Sequence, residues 1–290
     1  MMEHASCAAC GADDAALLFT TPDTRNPASP ERFPVGRCRR CGHVYVVERP
    51  APADIGRYYP ANYEEHRKTD APRKKSRRHR RLRLRAGDRV LDIGCGSGYD
   101  LLRLKDAGCG LFGVETNAEA AAQARANGID VFHGPAERAD FPGGHFHHVT
   151  MNHCLEHFHE PAAVLANVRR MTHAEGRIHL TFPTAEGMSF RIFQADWHHL
   201  DVPRHLHFFT DGSFRRLVAA CGLKVVHRAC SSGGRGLRRS LASVGTRIAP
   251  VGALARVVHT RPLEWVVKSA IILADLLRQG EVAEYVLRTA

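Results

Sequence analysis

The stretch that decides the fold reads Arg-Val-Leu-Asp-Ile-Gly-Cys-Gly-Ser-Gly and occupies residues 89–98. Its apolar start predicts a buried strand over 89–93, and a helical pattern begins directly after the glycines, at Tyr99. A strand, a tight glycine turn and the start of a helix together form a cradle for a small ligand. Dinucleotide folds use the spacing G-x-G-x-x-G, whereas the third glycine here comes one residue early. The spacing therefore argues against a dinucleotide.

This loop resembles the D-x-G-x-G-x-G loop of class I S-adenosylmethionine (SAM) methyltransferases, with Asp92 in the position of the acid. The resemblance runs from about Val90 to Cys230 and includes Leu155-Glu156-His157, which is typical of the ubiquinone-biosynthesis-type branch. It implies that SAM is the methyl donor and that the protein mainly aligns an acceptor with the S–CH₃ bond. The SAM-binding residues expected from it are Asp92, Gly94, Cys95, Gly96, Gly98, Glu115, Thr116, Ala136, Glu137 and Asn152.

A second acid, Glu115, ends the next predicted strand, 23 residues after Asp92. An acid at this edge of a sheet accepts both hydroxyl groups of a ribose, and the alternative is an acid that merely lies on the surface. NAD enzymes share this acid, so only the glycine spacing separates the two classes. The chain departs from the family at Pro135 and His147, where relatives usually carry acids.

Strand and helix patterns alternate after residue 88, which predicts a parallel sheet with helices on both faces. The expected fold class is α/β, a Rossmann-like, doubly wound and mostly parallel seven-stranded sheet. The predicted strands are 89–93, 111–115, 129–133, 146–151, 177–182, 223–229 and 281–289, and the predicted helices are 99–107, 118–126, 162–171 and 212–220. We expect Asn117 to cap the second helix and Gly108 to end the first.

Two C-x-x-C-G units mark the N-terminal region, at Cys7 and Cys10 and at Cys38 and Cys41. Each unit presents two thiolates from one tight turn, and two such turns complete the tetrahedral Cys₄ set of a structural zinc ion. The spacing predicts a small zinc ribbon with a strand over 43–47, and His4 is an inferior alternative ligand. Unrelated buried cysteines and a redox pair are the other readings.

The formal charge of +11 is concentrated in residues 67–85, which hold eleven Lys and Arg against Asp70 alone. The favoured reading is a solvated basic helix that joins two modules. Contact with nucleic acid is a less favoured alternative. Three tyrosines precede this block, Tyr58, Tyr59 and Tyr63; they either cap the cofactor pocket or pack against the core.

The acceptor is expected near residues 196–209, which resemble the W-x-x-L-D-x-P-x-H-x-x-x-F segment of the same branch. The resemblance implies that His205 is the general base, because a histidine in the matching segment of related C-methyltransferases is thought to play that role. The alternative is that His205 only bonds a backbone carbonyl and fixes the loop. Arg204 is a candidate partner for an acceptor carboxylate or phosphate. A less favoured hypothesis is that a second metal ion is bound by side chains among His198, His199, Asp201, His205 and His207.

The expected domains are a zinc-ribbon module over 1–50, a helical basic linker over 51–88 and a methyltransferase domain over 89–290. Within the last, apolar helices over 237–279 predict a lid; peripheral membrane contact or a dimer interface are alternatives. No signal sequence or long apolar run is visible, so the expected compartment is the cytoplasm. The oligomeric state is left open.

These patterns predict a SAM-dependent methyltransferase that acts on a small or carrier-linked acceptor, by O- or C-methylation, with a structural zinc ion. The first alternative is an RNA or protein methyltransferase that recruits its substrate through the basic segment. The second is a non-catalytic protein that binds SAM as a ligand.

Overall fold

A computed structural model describes residues 1–26, 29–59, 82–232, 234–247, 274–275, 277 and 279–290. Most of the basic block over 67–85, Tyr63 and the 248–273 part of the predicted lid lie outside the described residues. The chain divides into two compact units. The first comprises Met1–Tyr58, Thr181–Leu217 and Arg228–Glu284, and the second comprises Tyr59–Leu180, Val218–His227 and Tyr285–Ala290. The expected domain boundaries at residues 50 and 88 stay a prediction.

In chain order the strands are β1 Met2–His4, β2 Ala15–Pro22, β3 Arg32–Cys38, β4 Val44–Val46, β5 Glu48–Pro50, β6 Arg89–Ile93, β7 Gly110–Glu115, β8 Asp130–His133, β9 Phe146–Asn152, β10 Thr172–Pro183, β11 His207–Phe208, β12 Leu223–Ser231 and β13 Val282–Thr289. The α-helices are α1 Tyr99–Leu102, α2 Ala118–Ala126, α3 Pro161–Met171, α4 Met188–Phe193, α5 Asp211–Ala220 and α6 Gly234–Arg247.

The large sheet has seven strands in the order β12-β13-β10-β9-β6-β7-β8, which confirms the predicted fold class. Strand β6 pairs in parallel with β7 on one side and with β9 on the other, and β7 pairs in parallel with β8. The chain therefore moves outward from β6 to β8 and returns to the opposite side of β6 at β9. Ligands of such sheets bind beyond the carboxyl ends of the strands at this reversal.

Helix boundaries follow local chemistry closely around the glycine loop. The Asn117 side chain accepts a hydrogen bond of 2.9 Å from the amide of Ala120, and α2 covers the predicted residues 118–126. Gly108 has the expected left-handed conformation at the end of its helix. That helix is not continuous as predicted, because a 3-10 turn replaces its second half at Lys105–Ala107. The amides of Leu104 and Ala107 bond carbonyls only three residues back, which tightens the chain there.

The first unit contains a four-stranded sheet in the order β11-β4-β3-β2. Its core includes Phe33, Val35 and Val44 from the N-terminal strands together with Trp197 and Phe208 from the expected acceptor segment. The sequence did not predict β2, β3, β11 or α4. Across the described residues, no helix combines the length and apolar character needed to cross a bilayer.

Candidate functional site

The carboxyl end of β6 presents a buried acid, Asp92. The β6–β9 register places Thr150 directly beside it, and the Thr150 hydroxyl donates a hydrogen bond of 2.6 Å to the Asp92 carboxylate. This contact fixes the orientation of the acid, because both groups lie on adjacent parallel strands. Asp92 is thereby held at the edge from which the glycine loop departs.

The glycine loop is held from β7. The amides of Gly94 and Cys95 both donate to the carbonyl of Val114, at 2.8 and 3.1 Å. The amide of Gly96 donates to Glu115 Oε2 at 2.8 Å, and the amide of Asn117 donates to Oε1 of the same carboxylate at 2.8 Å. Glu115 therefore binds the loop with one oxygen and the start of α2 with the other.

The third glycine of the loop, Gly98, combines a left-handed backbone with close packing. Its φ is +79°, and a Cβ atom there would lie 2.1 Å from Ile129 Cδ1. A methyl group at that distance overlaps Ile129, and a left-handed backbone is unfavourable for any residue with a side chain. Gly98 thus allows α1 to approach the β8 side of the domain.

A pocket of about 360 Å³ opens over the loop, within the size range of small-molecule sites. It brings together most of the residues predicted from the sequence. They are Asp92, Gly94, Cys95, Gly96, Glu115, Thr116, Ala136 and Asn152. Gly98 and Glu137 are not among the lining residues, and Glu137 is exposed. Ala136 is held in place by Asn167 on α3, whose side-chain amide donates to its carbonyl at 2.9 Å.

The charge of the pocket is acidic. Three carboxylates line it, those of Asp92, Asp100 and Glu115, and no Lys or Arg of the described part of the chain does. Carboxylates attract a cationic ligand and repel a phosphate, and this effect is stronger in a partly enclosed site than in water. The lining therefore suits a ligand with positive groups and not a pyrophosphate.

The opposite wall of the pocket was only partly anticipated. Tyr59 lines it, and its hydroxyl lies 3.0 Å from Nδ1 of His157, which also lines it. Tyr58 instead packs edge-on against Phe33 in the core of the first unit. Cys154 also lines this wall. Burial raises the pKa of its thiol well above the usual value, and the nearby charge of Glu156 adds to this shift. The tyrosines before the basic block and the branch-typical segment 155–157 were the sequence features that pointed to Tyr59 and His157.

The four predicted metal ligands converge in the first unit. The Cys7 and Cys41 sulfurs are 3.5 Å apart, the Cys10 and Cys38 sulfurs are 3.6 Å apart, and all four lie within 4.8 Å of one another. A disulfide needs about 2.05 Å between its sulfurs, whereas Zn–S bonds of about 2.3 Å in a tetrahedron place sulfurs about 3.8 Å apart. The donor set therefore fits zinc.

Backbone groups around these sulfurs also fit a cation site. Burial raises the pKa of Cys41 to about 11, and the amide of His43 opposes this shift by donating to the sulfur. The amides of Ala9 and Ala12 act in the same sense on Cys7 and Cys10. His4 is not part of the set, because its two ring nitrogens contact Glu48 and Asp13 at 2.6 and 2.5 Å.

His205, the predicted base, is buried in the first unit. Its Nδ1 lies 2.8 Å from the carbonyl oxygen of His199, and its amide donates to the carbonyl of Asp201 at 3.0 Å. Because a carbonyl oxygen only accepts, Nδ1 carries a proton, and in the neutral form of the ring the lone pair is on Nε2. The contact with a backbone carbonyl is thus present, and it selects the tautomer that a base needs.

The expectation that Arg204 binds a carboxylate or phosphate of the acceptor is wrong. Its guanidinium is fully buried and donates to Asp23 at 2.7 Å, to Asp201 at 2.9 Å and to the carbonyl of Tyr58 at 2.7 Å. Burial disfavours the charge on Asp201, but His205, Arg25 and Arg204 outweigh it and hold the pKa of this carboxyl well below its usual range. The contacts of Asp201 with Arg204 and Arg25 also argue against the second metal site.

Comparison with known proteins agrees with this geometry. Over 100 residues the chain is 33% identical to the ubiquinone biosynthesis O-methyltransferase of Aromatoleum aromaticum, a match that covers 32% of this chain and 43% of the relative. The chain thus spans less than half the length of the curated relative that it matches. One chain of a complex between the Haloferax volcanii Trm112 methyltransferase activator and a methyltransferase shares the fold, with a TM-score of 0.51, 18% identity and coverage of 72% of this chain and 86% of that one. Residues 63–228, more than half of the sequence, match the methyltransferase domain family. The chain therefore belongs to the methyltransferase domain family.

Proposed function

We propose that this protein transfers the methyl group of SAM to a small or carrier-linked acceptor, at an oxygen or a carbon atom. The observation that carries the proposal is the acidic lining of the pocket over the glycine loop. SAM has two positive groups, a sulfonium and an ammonium, against one carboxylate, whereas NAD carries a pyrophosphate. Three carboxylates without an accompanying Lys or Arg in the described lining match the former.

The roles of the pocket residues follow from their contacts. Each Glu115 oxygen accepts one backbone amide, and Oε1 also lies 3.5 Å from the Thr116 hydroxyl. The second acceptor position of Oε2 suits a ribose hydroxyl. Asp92, oriented by Thr150, suits the ammonium group of the methionine end. Ala136, fixed by Asn167, suits the base. When bound, SAM supplies an electrophilic methyl group on a good leaving group, so alignment is the main task of the protein.

Proton transfer is assigned to His205. In its neutral form the ring has a lone pair on Nε2, which would accept a proton from an acceptor hydroxyl or carbon acid as the new bond to the methyl group forms. Replacement of His205 by Ala is expected to lower the transfer rate about 10²- to 10⁴-fold and to leave SAM affinity unchanged. An unchanged rate in that variant would remove His205 from the mechanism.

Zinc has a structural role in this proposal. Cys7, Cys10, Cys38 and Cys41 would hold it with all four positions filled by protein, which leaves none for an acceptor. Elemental analysis of the purified protein is expected to give one zinc per chain. A Cys38→Ser variant is expected to lose it.

The test is mass spectrometry of a metabolite extract incubated with the protein and methyl-labelled SAM. A labelled small molecule or carrier adduct is expected, and Gly96→Arg protein, whose side chain fills the loop, is expected to form none. Label found only in the RNA or protein fraction would favour the macromolecular alternative. SAM binding without any transfer would indicate a non-catalytic protein. The relative is named as an O-methyltransferase, so acceptors with a hydroxyl group are the first class to examine.

A further inference from the structure

The predicted zinc ribbon and the predicted base are joined by a β-ladder. Strand β11 begins two residues after His205 and pairs antiparallel with β4, His207 with Tyr45 and Phe208 with Val44. The amide of Val46 extends this pairing by donating to the carbonyl of Leu206 at 3.0 Å. The segment that directly follows the base is therefore an edge strand of the sheet that also contains β3 and β4.

A buried histidine pair ties the same two segments together. His43 follows Cys41 by two residues, and its Nε2 lies 3.1 Å from Nδ1 of His207. Both rings are almost fully buried and stack on Phe209. If one of the two rings moved away, the other would keep a buried polar nitrogen without a hydrogen-bond partner, which costs free energy. The position of His207 therefore depends on that of His43.

A buried ion pair holds the other side of the base. Arg204 donates to Asp23, in the turn between β2 and β3, and the amide of Thr24 donates to the carbonyl of Val202 at 3.2 Å. Asp201, whose carbonyl accepts from the His205 amide, has a φ of +35°, which is unfavourable for a residue other than glycine. The surrounding contacts must maintain this backbone conformation.

We propose that the cysteine module, closed by zinc, positions His205, so that the metal governs proton transfer from the acceptor and not the binding of SAM. The inference rests on the proposed function. Its two halves can be tested separately, because the contacts of Glu115 that hold the glycine loop involve no residue of the cysteine module. His43 and His207 act as positioning residues in this account.

The first experiment compares zinc-loaded protein with protein stripped by a chelator and with a Cys41→Ser variant. Cys109→Ser is the matched control, because Cys109 belongs to the second unit and is not one of the four clustered cysteines. Amide hydrogen exchange of residues 201–208 and exchange of the His205 C2 proton are expected to accelerate about tenfold or more without zinc. SAM affinity by calorimetry is expected to change less than about twofold.

The second experiment keeps the cysteines and changes the histidine pair. His207→Leu removes the contact with His43, whereas His207→Asn retains a polar atom near the position of Nδ1. With zinc bound in both, His207→Leu is expected to lower formation of labelled product from the extract about tenfold, and His207→Asn to restore most of it. A merely structural role would affect both variants alike, in proportion to their loss of stability.

Two results would overturn the inference. One is that the zinc-free protein exchanges the amide hydrogens of residues 201–208 and the C2 proton of His205 at the same rates as the zinc-loaded protein. The other is equal product formation by His207→Leu and wild-type protein. If wild-type, zinc-loaded protein did not bind SAM, that result would contradict the proposed function itself. Failure of this inference and failure of the proposed function are therefore distinguishable.

Discussion

Glu115→Gln offers the sharpest test of the SAM site. In the wild type the two carboxylate oxygens each accept one backbone amide at 2.8 Å, from Gly96 and from Asn117. Oε2 retains one acceptor position, and Oε1 shares its second position with the Thr116 hydroxyl at 3.5 Å. The two ribose hydroxyls of SAM are expected to bind at these positions. A glutamine has a single acceptor oxygen, so one amide and one hydroxyl lose their acceptor.

The magnitude follows from this count. A hydrogen bond to a charged group contributes about 1.5–3 kcal/mol, and each 1.4 kcal/mol is a tenfold change in affinity. Loss of one such bond to the ligand therefore weakens SAM binding roughly 10- to 150-fold. Calorimetry measures this directly, and Glu119→Gln, an exposed acid in the first turn of α2, is the matched control with an expected change below about twofold. Binding of SAM by Glu115→Gln protein within threefold of the wild type would refute the assignment.

Three further predictions concern stability, measured as the free energy of unfolding in urea. Gly98→Ala is expected to cost about 2–5 kcal/mol through overlap with Ile129, whereas Gly128→Ala, with a similar φ and open space around it, costs about 1–2 kcal/mol. Asp23→Asn leaves Arg204 buried with one carboxylate fewer and is expected to cost about 3 kcal/mol, against no measurable change for exposed Asp14→Asn. Burial lowers the pKa of His179 to about 3, so below about pH 6.5 the unfolded chain binds a proton at this residue and the folded protein does not. The free energy of unfolding is therefore highest above about pH 6.5 and falls by about 1.4 kcal/mol per pH unit as the pH decreases from there towards 3. His179→Gln is expected to reduce this slope. The packing argument would be contradicted if the two glycine variants lost equal stability, and the ion-pair argument if the two aspartate variants did. An unchanged pH slope in His179→Gln would contradict the argument from burial.

The pocket over the glycine loop was predictable because its determinants are local in sequence. The glycine spacing, the acid that ends β7 and the Asn117 cap each report on a few neighbouring residues. The four cysteines were predictable for the same reason, since each C-x-x-C-G turn presents its two sulfurs without help from the rest of the chain. Gly98 shows the limit of this reasoning, because its role depends on Ile129, which is remote in sequence.

The surroundings of His205 were not predictable, because they depend on pairing between distant segments. Arg204 bonds Asp23, 181 residues earlier, and β11 pairs with β4 although it is only two residues long. A two-residue strand has no periodic pattern, and a charged residue in a loop is normally read as exposed. Only the folded chain shows that Arg204 is interior and that the strand directly after the base pairs with a strand of the N-terminal sheet.

The measurement that tests the central claim most directly is a calorimetric titration of zinc-loaded protein with SAM and, separately, with NAD. The acidic pocket predicts binding of SAM at one site per chain, loss of that binding in the Gly96→Arg variant and no binding of NAD. Binding of NAD, or the absence of SAM binding by the intact protein, would contradict the account.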